Sequence, residues 1–437
     1  MPSEQQYYDQ LLDIMSGMEI IDTHEHLPAE AERVGQPRDF SHLFSHYCVS
    51  DLGAAGMTAK EMGLFFAAET PPDEKWRLFA PFYGRIRDGS YCRAAHIAME
   101  RFYGMDGLDS PADCERLTAA MAEANVAGLY RKVLKDACRI RVSMNFGSSG
   151  DEPEFFATVP FVHEYVEVTK GVIRGLEEEI GSSCSTLSAF VEAVRENLRR
   201  RKEHGIVGLK FALAYNRDLH FAPRATAEAE PLFNRVMEEG YGWRPHTLGW
   251  EEMRPLSDFM VHRLVEMAGE LDIPVIFHTG MQAHHEHKPD DSRPLRLWNL
   301  PHRHRGVDFI ILHAGFPWMT DAAMLAKHYS NVYLDMAWTH LMSPEIAARA
   351  LLEWIDLLPM HKIFGFGGDY CVVEKVYGHL VLARRDIARA LAAKMARDAM
   401  PAPRAQAWLQ AILYDNPHTV YRLPERGRLA RAAAALT

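Results

Sequence analysis

Cysteine is sparse in this 437-residue sequence. Its six cysteines stand singly at Cys48, Cys92, Cys114, Cys138, Cys184 and Cys371, with no Cys-x-x-Cys pair. That spacing excludes a dense disulfide framework and fits reduced thiols in a reducing compartment. Positive charge is also short: 48 Lys and Arg stand against 59 Asp and Glu, a formal net charge of −11 with a pI near 6.1. Nucleic acids and anionic membranes reward the opposite balance, so neither is expected as a partner. No apolar run approaches the roughly eighteen residues of a spanning helix. The start, Met1 to Ile14, lacks the basic and apolar segments of a secretory signal, so a cytoplasmic protein is expected. Internal repeats are absent, and the one biased tract is the alanine-rich end from Ala430 to Leu436, read as a frayed helix.

The sequence does have abundant core material, 48% of it hydrophobic. Short runs rich in β-branched residues alternate with amphipathic stretches, the rhythm of βα units around a parallel sheet. Strands are expected over Met18 to Asp22, Cys138 to Met144, Ile206 to Ala212, Ile273 to His278, Val307 to His313, Asn331 to Asp335 and Lys362 to Phe366. A weaker candidate at Ala157 to Phe161 makes eight. Helices are expected over Leu187 to Glu203, Trp250 to Glu270, Asp321 to His328, Pro344 to Leu357 and Val373 to Ala396. The fold class this implies is α/β, a (β/α)8 TIM barrel occupying residues 1–437 as one domain. Between about residues 40 and 127 the alternation fails and helices follow one another, including Pro72 to Arg87 and Ser90 to Tyr103. This helical insertion after the first strand either overhangs the catalytic mouth or serves contacts in a homo-oligomer. A second irregular stretch, Ala283 to Arg305, reads as a loop.

Chemistry concentrates at strand ends. In Ile20 to Leu27 (IIDTHEHL), His24 and His26 sit two apart in extended geometry, which sends both imidazoles to one side. The pattern alone is weak, because 22 randomly placed histidines give about one His-x-His in a chain of this length. His285-Glu286-His287 and His302-x-His304 repeat it, but the former lies in the loop-like stretch and reads as solvated or as a substrate contact. Position separates them, since catalytic residues of this fold gather at the C-terminal ends of strands. Three more apolar runs end in a polar residue, at His278, His313 and Asp369. A lone histidine of this kind is usually a satisfied core or surface residue; three strands with the same arrangement are unlikely as accidents. Two or three imidazoles with a carboxylate suit Zn, with Mn or Fe as alternatives, better than the oxygen-seeking Ca and Mg. The expected metal ligands are therefore His24, His26, His278 and Asp369, holding one divalent metal in preference to two. Lys210 ends a further strand and has three readings: carboxylated bridge between two metals, substrate contact, or buried ion-pair partner. Tyr215 and Arg217 follow it and could hold a substrate carboxylate.

The ordered set His24, His26, Lys210, His278, His313, Asp369 resembles the amidohydrolase superfamily, in particular its amidohydrolase-related branch. Leu312–Trp318 (LHAGFPW), Asn331–Asp335 (NVYLD), Gly367–Tyr370 (GGDY) and Asp415–Arg422 (DNPHTVYR) are similar to that branch, so the likeness spans about residues 18 to 422. Within it, Lys210–Arg217 (KFALAYNR) and Phe277–Gly280 (FHTG) resemble the amidohydrolase-like half of proteins fused to a glutamine-synthetase-like domain. The inserted helices, with Trp76 and Arg93 to Tyr103, share that likeness and a fainter one to uronate isomerases. The resemblance implies a metal-dependent hydrolase that cleaves an amide, lactone or related bond in a small-molecule substrate. In it Asp369 acts as ligand and general base, and His313 as proton donor or oxyanion partner. The same site would also serve a non-oxidative decarboxylase or a uronate-isomerase-like enzyme. A catalytically idle binding barrel is the reading from another class, disfavoured because polar strand ends are costly to bury unpaired.

Overall fold

In the computed structural model, which describes residues 2–147, 152–239, 250–283 and 287–425, the apolar runs become eight parallel strands. They are β1 (Ile20–Glu25), β2 (Ile140–Phe146), β3 (Phe156–Val159), β4 (Leu209–Phe211), β5 (Val275–Phe277), β6 (Phe309–Ile311), β7 (Val332–Asp335) and β8 (Ile363–Phe364). Hydrogen bonding runs in order through β1 to β3 and through β4 to β8. Backbone bonds bridge both seams. Val207 N–H donates to Thr158 O at 3.1 Å and Lys210 N–H to Pro160 O at 2.9 Å, while Thr23 N–H donates to Phe366 O at 3.1 Å. The sheet thus closes on itself as a (β/α)8 barrel, which removes free strand edges.

Successive residues of a strand face opposite ways, and the core divides accordingly. Ile21, Val142, Met144, Val159, Ile276, Ile310 and Phe364 fill the barrel interior. Their strand neighbours, among them Ile20, Leu209, Val275, Phe277 and Phe309, pack outward against the helices. The five helices expected between the strands form, with ends shifted by a few residues at most. Several elements differ from the sequence reading, helices at Lys170–Ile180, Thr226–Glu239 and Ala402–Gln410 among them. A helix at Glu4–Gly17 was not expected; the Ser3/Gln6 capping box announces it, and it buries Leu11 and Met15 against the helix Val373–Arg397. The stretch expected as a loop from Ala283 to Arg305 contains short turns at Pro289–Ser292, Pro294–Trp298 and Asn299–Arg303. The alanine-rich end lies outside the described residues.

After β1 the chain builds the expected run of helices: Cys48–Ala54, Ala59–Phe66, Pro72–Ile86, Ser90–Tyr103 and Pro111–Ala124. They enclose a separate apolar cluster around Phe40, Phe44, Phe65, Phe79 and Leu117. Two devices fasten this insertion to the barrel. Gly378 lets Val373–Arg397 lie against Ser90–Tyr103, since a Cβ there would come within 2.0 Å of Ala94 O. Beside it a buried ion pair joins Arg33 to Glu374 at 2.7 Å, and Glu374 also accepts from the Tyr103 hydroxyl at 2.8 Å. Residues of the insertion, His46 and Tyr47, thereby reach the mouth of the barrel.

Candidate active site

Strict alternation along β1 would turn His24 away from the interior that Ile21 faces. The register with β2 shifts between Asp22 and Glu25, and this irregularity re-aims the strand end. Both Thr23 and His24 consequently point inward: Thr23 donates to Asp335, and the His24 ring stacks on Phe146 with centroids 3.8 Å apart. Opposite, the turn after β8 places Asp369 in the left-handed region at φ +57°, fixed by its N–H to His24 O at 2.6 Å. Trp338 and His313 also adopt positive φ, +62° and +60°. Such conformations store strain at several rim positions together, a pattern typical of functional sites.

The result is a cavity of about 270 Å³ at the C-terminal end of the strands, lined by His24, His26, Lys210, Tyr215, His278, His313 and Asp369 among others. His24 Nε2 and His26 Nε2 lie 3.2 Å apart, and each sits within 3.4 Å of Asp369 Oδ1. Donor atoms of these three residues all fall within 4.8 Å of one another. His26 Nδ1 faces Phe146 O at 3.2 Å; a carbonyl can only accept, so the ring proton is on Nδ1 and the Nε2 lone pair points at the cluster. Two imidazoles and a carboxylate converging in this way fit a divalent cation. Burial raises the Asp369 pKa, but His24, His26 and His313 outweigh it and hold the carboxyl well below its usual range. Burial keeps His24 well below the ordinary histidine value, so its ring is neutral and free to ligate.

His278, the fourth expected ligand, lines the same cavity but lies outside this three-residue group. Its Nδ1 lies 3.1 Å from His313 Nε2, while its Nε2 faces Met281 O at 3.0 Å and His313 Nδ1 faces Ala337 O at 3.0 Å. Each carbonyl demands a ring N–H, so two lone pairs meet across 3.1 Å. That gap needs a shared proton or a cation. Asp369 Oδ2 stands 3.6 Å from His313 Nδ1, so the carboxylate spans from the first histidine pair to the second.

Lys210 is buried with its ammonium 5.0 Å over the Phe146 ring. Burial lowers its pKa to about 7 against the pull of Asp369 and Asp335. Tyr215 lines the cavity, and its hydroxyl accepts from Ala283 N–H at 3.1 Å. Arg217 is the clearest correction. Its guanidinium donates to Ser257 Oγ, His220 O and Asp258, and with 3% exposure it sits away from the cavity wall. A buried charge takes whatever partners satisfy it, and Asp258 on Trp250–Glu270 could not be foreseen from the local sequence. Sequence reasoning missed His46, Tyr47 and Phe161 as wall residues; adjacency of His46 and Tyr47 inside an apolar helical tract was the available signal. Of the rival motifs, His285 and Glu286 lie outside the described residues, whereas His304 bonds His262 at 2.8 Å.

Beneath Asp369, His379 Nδ1 faces Gly368 O at 2.9 Å, and burial lowers the ring's pKa to about 3. Its folded value lies below the ordinary 6.5, so the unfolded chain takes up this proton first. Stability is therefore lost as pH falls from 6.5 toward 3 and is unaffected above 6.5. In urea titrations, His379→Phe should close its stability deficit against wild type as pH drops from 7.5 to 4.5. A deficit independent of pH would contradict the buried neutral ring.

The chain belongs to the amidohydrolase family, whose signature matches residues 21–423. It is 26% identical over 167 residues to protein fluG of Emericella nidulans, a match covering 36% of this chain and 19% of that protein. The match thus spans about a fifth of that relative's length. The fold is similar to glucuronate isomerase from Caulobacter crescentus, with a TM-score of 0.79 at 19% identity, covering 98% of this chain and 96% of that one. It is likewise similar to uronate isomerase from Thermotoga maritima, with a TM-score of 0.76 at 16% identity over 95% and 97% of the two chains. Among the described residues no helix is long and apolar enough to cross a membrane.

Proposed function

We propose that this chain is a divalent-metal-dependent hydrolase of a small, carboxylate-bearing substrate, cleaving an amide, lactone or related bond. The observation that carries this reading is the convergence of His24, His26 and Asp369 at the floor of a closed-barrel cavity. Those three residues would hold the ion, and nitrogen-rich ligation favours zinc over calcium or magnesium. When bound, it would polarise the scissile carbonyl and bring the pKa of water toward neutrality.

The protein's own groups do the rest. Asp369 accepts the proton of the attacking water, its two oxygens facing different neighbours. Asp369 then delivers that proton to the leaving group, and His313, its Nδ1 3.6 Å from Oδ2, lies beside the developing charge. Lys210 presents N–H donors where charge develops on the carbonyl oxygen. Tyr47, Trp338, Phe161 and Tyr215 wall the cavity and limit bulk water.

A second reading, isomerisation of a sugar acid, is favoured by the whole-chain likeness to two uronate isomerases, insertion included. Isotope tracing on zinc-loaded protein separates the two, using a panel of N-acyl amino acids, lactones and uronates. Hydrolysis places one ¹⁸O from labelled water in the product carboxylate. A ketose product with deuterium taken from D₂O on carbon and no ¹⁸O in its carboxylate would replace hydrolysis with isomerisation.

A further inference from the structure

His26 borders more than the substrate cavity. On its far side lies a second cavity of about 410 Å³, whose wall includes His26, Glu32, Arg38, His42, Ser45 and Cys371. Arg38, His42 and Ser45 also border a wider space of about 730 Å³ beneath the inserted helices. One end of this tract therefore meets the proposed metal residues, and the other is built by the insertion.

Two side-chain nitrogens there lack partners among the described residues: Arg38 Nε and His42 Nε2 are both buried without a hydrogen bond. The Arg38 guanidinium is engaged through Nη2 alone, to the exposed Gln36 amide at 2.9 Å. The Nε atoms of Arg33, Arg263 and Arg384 are likewise buried without a bond, but of these four arginines it is Arg38 that borders the two cavities, where a ligand can reach it. The field around it is positive: burial, followed by Arg33, Arg38 and Lys375, keeps His42 well below its ordinary pKa. Arg33 bonds Glu374 and Asn125 through its Nη atoms and Lys375 bonds Ser45 O, and of these three cations it is Arg38 that lines both cavities. Of the carboxylates bordering the two spaces, Glu32 and Glu69 are exposed and Asp39 is paired with Lys75 at 2.5 Å.

We propose that Arg38, assisted by His42, is the subsite for the substrate's carboxylate. The reacting carbonyl then lies on the opposite side of His26, against His24 and Asp369. This deepens the hydrolase reading and rests on it. It also assigns to Arg38 the anchoring role that Arg217, sealed against Asp258, has no donor to perform. The substrate class follows: a molecule with an anionic terminus separated from its scissile bond by a spacer long enough to pass His26. Neutral esters and amides lacking that terminus are poor ligands.

The test is calorimetric titration of the full chain, with zinc content measured on the same sample. The probes are malonate, glutarate and adipate, their monoamides, and 3-phosphonopropionate. Wild type is expected to bind one dicarboxylate length at least about 10-fold tighter than its monoamide, a difference of about 1.4 kcal/mol. Arg38→Met should erase that preference with unchanged zinc content and melting temperature. Arg38→Lys should restore only part of it, because lysine lacks the two-pronged fork. Absence of dicarboxylate binding, or a preference that survives Arg38→Met, overturns the subsite; tighter Arg38-dependent binding of the phosphonate overturns its carboxylate assignment. An Arg38-dependent preference in a protein that takes up no zinc would keep the subsite and sink the metal reading instead.

Discussion

Replacing His24, His26 or Asp369 with alanine is expected to strip the divalent ion from the protein. Each supplies one of three donors within a 4.8 Å cluster, so no neighbour substitutes for a missing one. Disturbing a mere hydrogen-bond partner of a metal ligand already costs about 10–100-fold in affinity, and removing the ligand costs more. Zinc measured by elemental analysis should fall from stoichiometric to a small fraction. The same loss appears in stability: at 100 times its Kd the ion stabilises wild type by about 2.7 kcal/mol, and His24→Ala should show no such gain. Asp369→Asn keeps the shape of the side chain but cannot accept the water proton, so kcat/KM should drop on the order of 10²–10⁴-fold. Stoichiometric zinc in all three alanine variants would remove the basis of the proposed mechanism.

Gly368→Ala should be damaging although it adds a single methyl group. A Cβ at this position would fall 1.8 Å from Glu25 Oε1 and 2.8 Å from Glu25 Cδ, and Glu25 is fully buried. Its side chain cannot step aside, because Oε2 accepts the Tyr370 N–H at 2.7 Å. Burial, followed by neighbouring Asp22, raises the Glu25 pKa well above its usual value, so it is a protonated, fixed member of the layer under the site. Gly368 itself donates to Asp22 at 3.0 Å and immediately precedes Asp369. Relief of the overlap must therefore move the β8 turn. A loss of about 1–3 kcal/mol in urea denaturation is expected, with zinc uptake falling alongside it. Wild-type stability together with wild-type zinc binding would show that the turn has room the structure denies. Glu25→Gln, by contrast, replaces a neutral group with a neutral group and should be tolerated.

The barrel was legible in the sequence because its signal is local and repeated. Eight apolar runs spaced by amphipathic stretches have few folded solutions, and the weakest, expected over Ala157 to Phe161, is β3. The helix Glu4–Gly17 was missed although its cap was written in Ser3 and Gln6, because a polar, acidic surface obscured the buried pair Leu11 and Met15. Locating the site followed the same logic, since polar residues at strand ends stand out against apolar runs. Their partners did not. Whether His278 faces His24 or His313 depends on the angle at which neighbouring strands splay, and no local pattern records that.

The sequence by itself determined the parallel barrel, the helical insertion and the small set of polar side chains gathered at one rim, because periodicity and strand-end position are properties of contiguous residues. Tertiary structure alone decided which of those side chains converge, that Arg217 is spent on Asp258, and that Arg38 borders the cavity with a buried donor unspent. Those outcomes depend on contacts between segments far apart in the chain, where burial and geometry choose each partner.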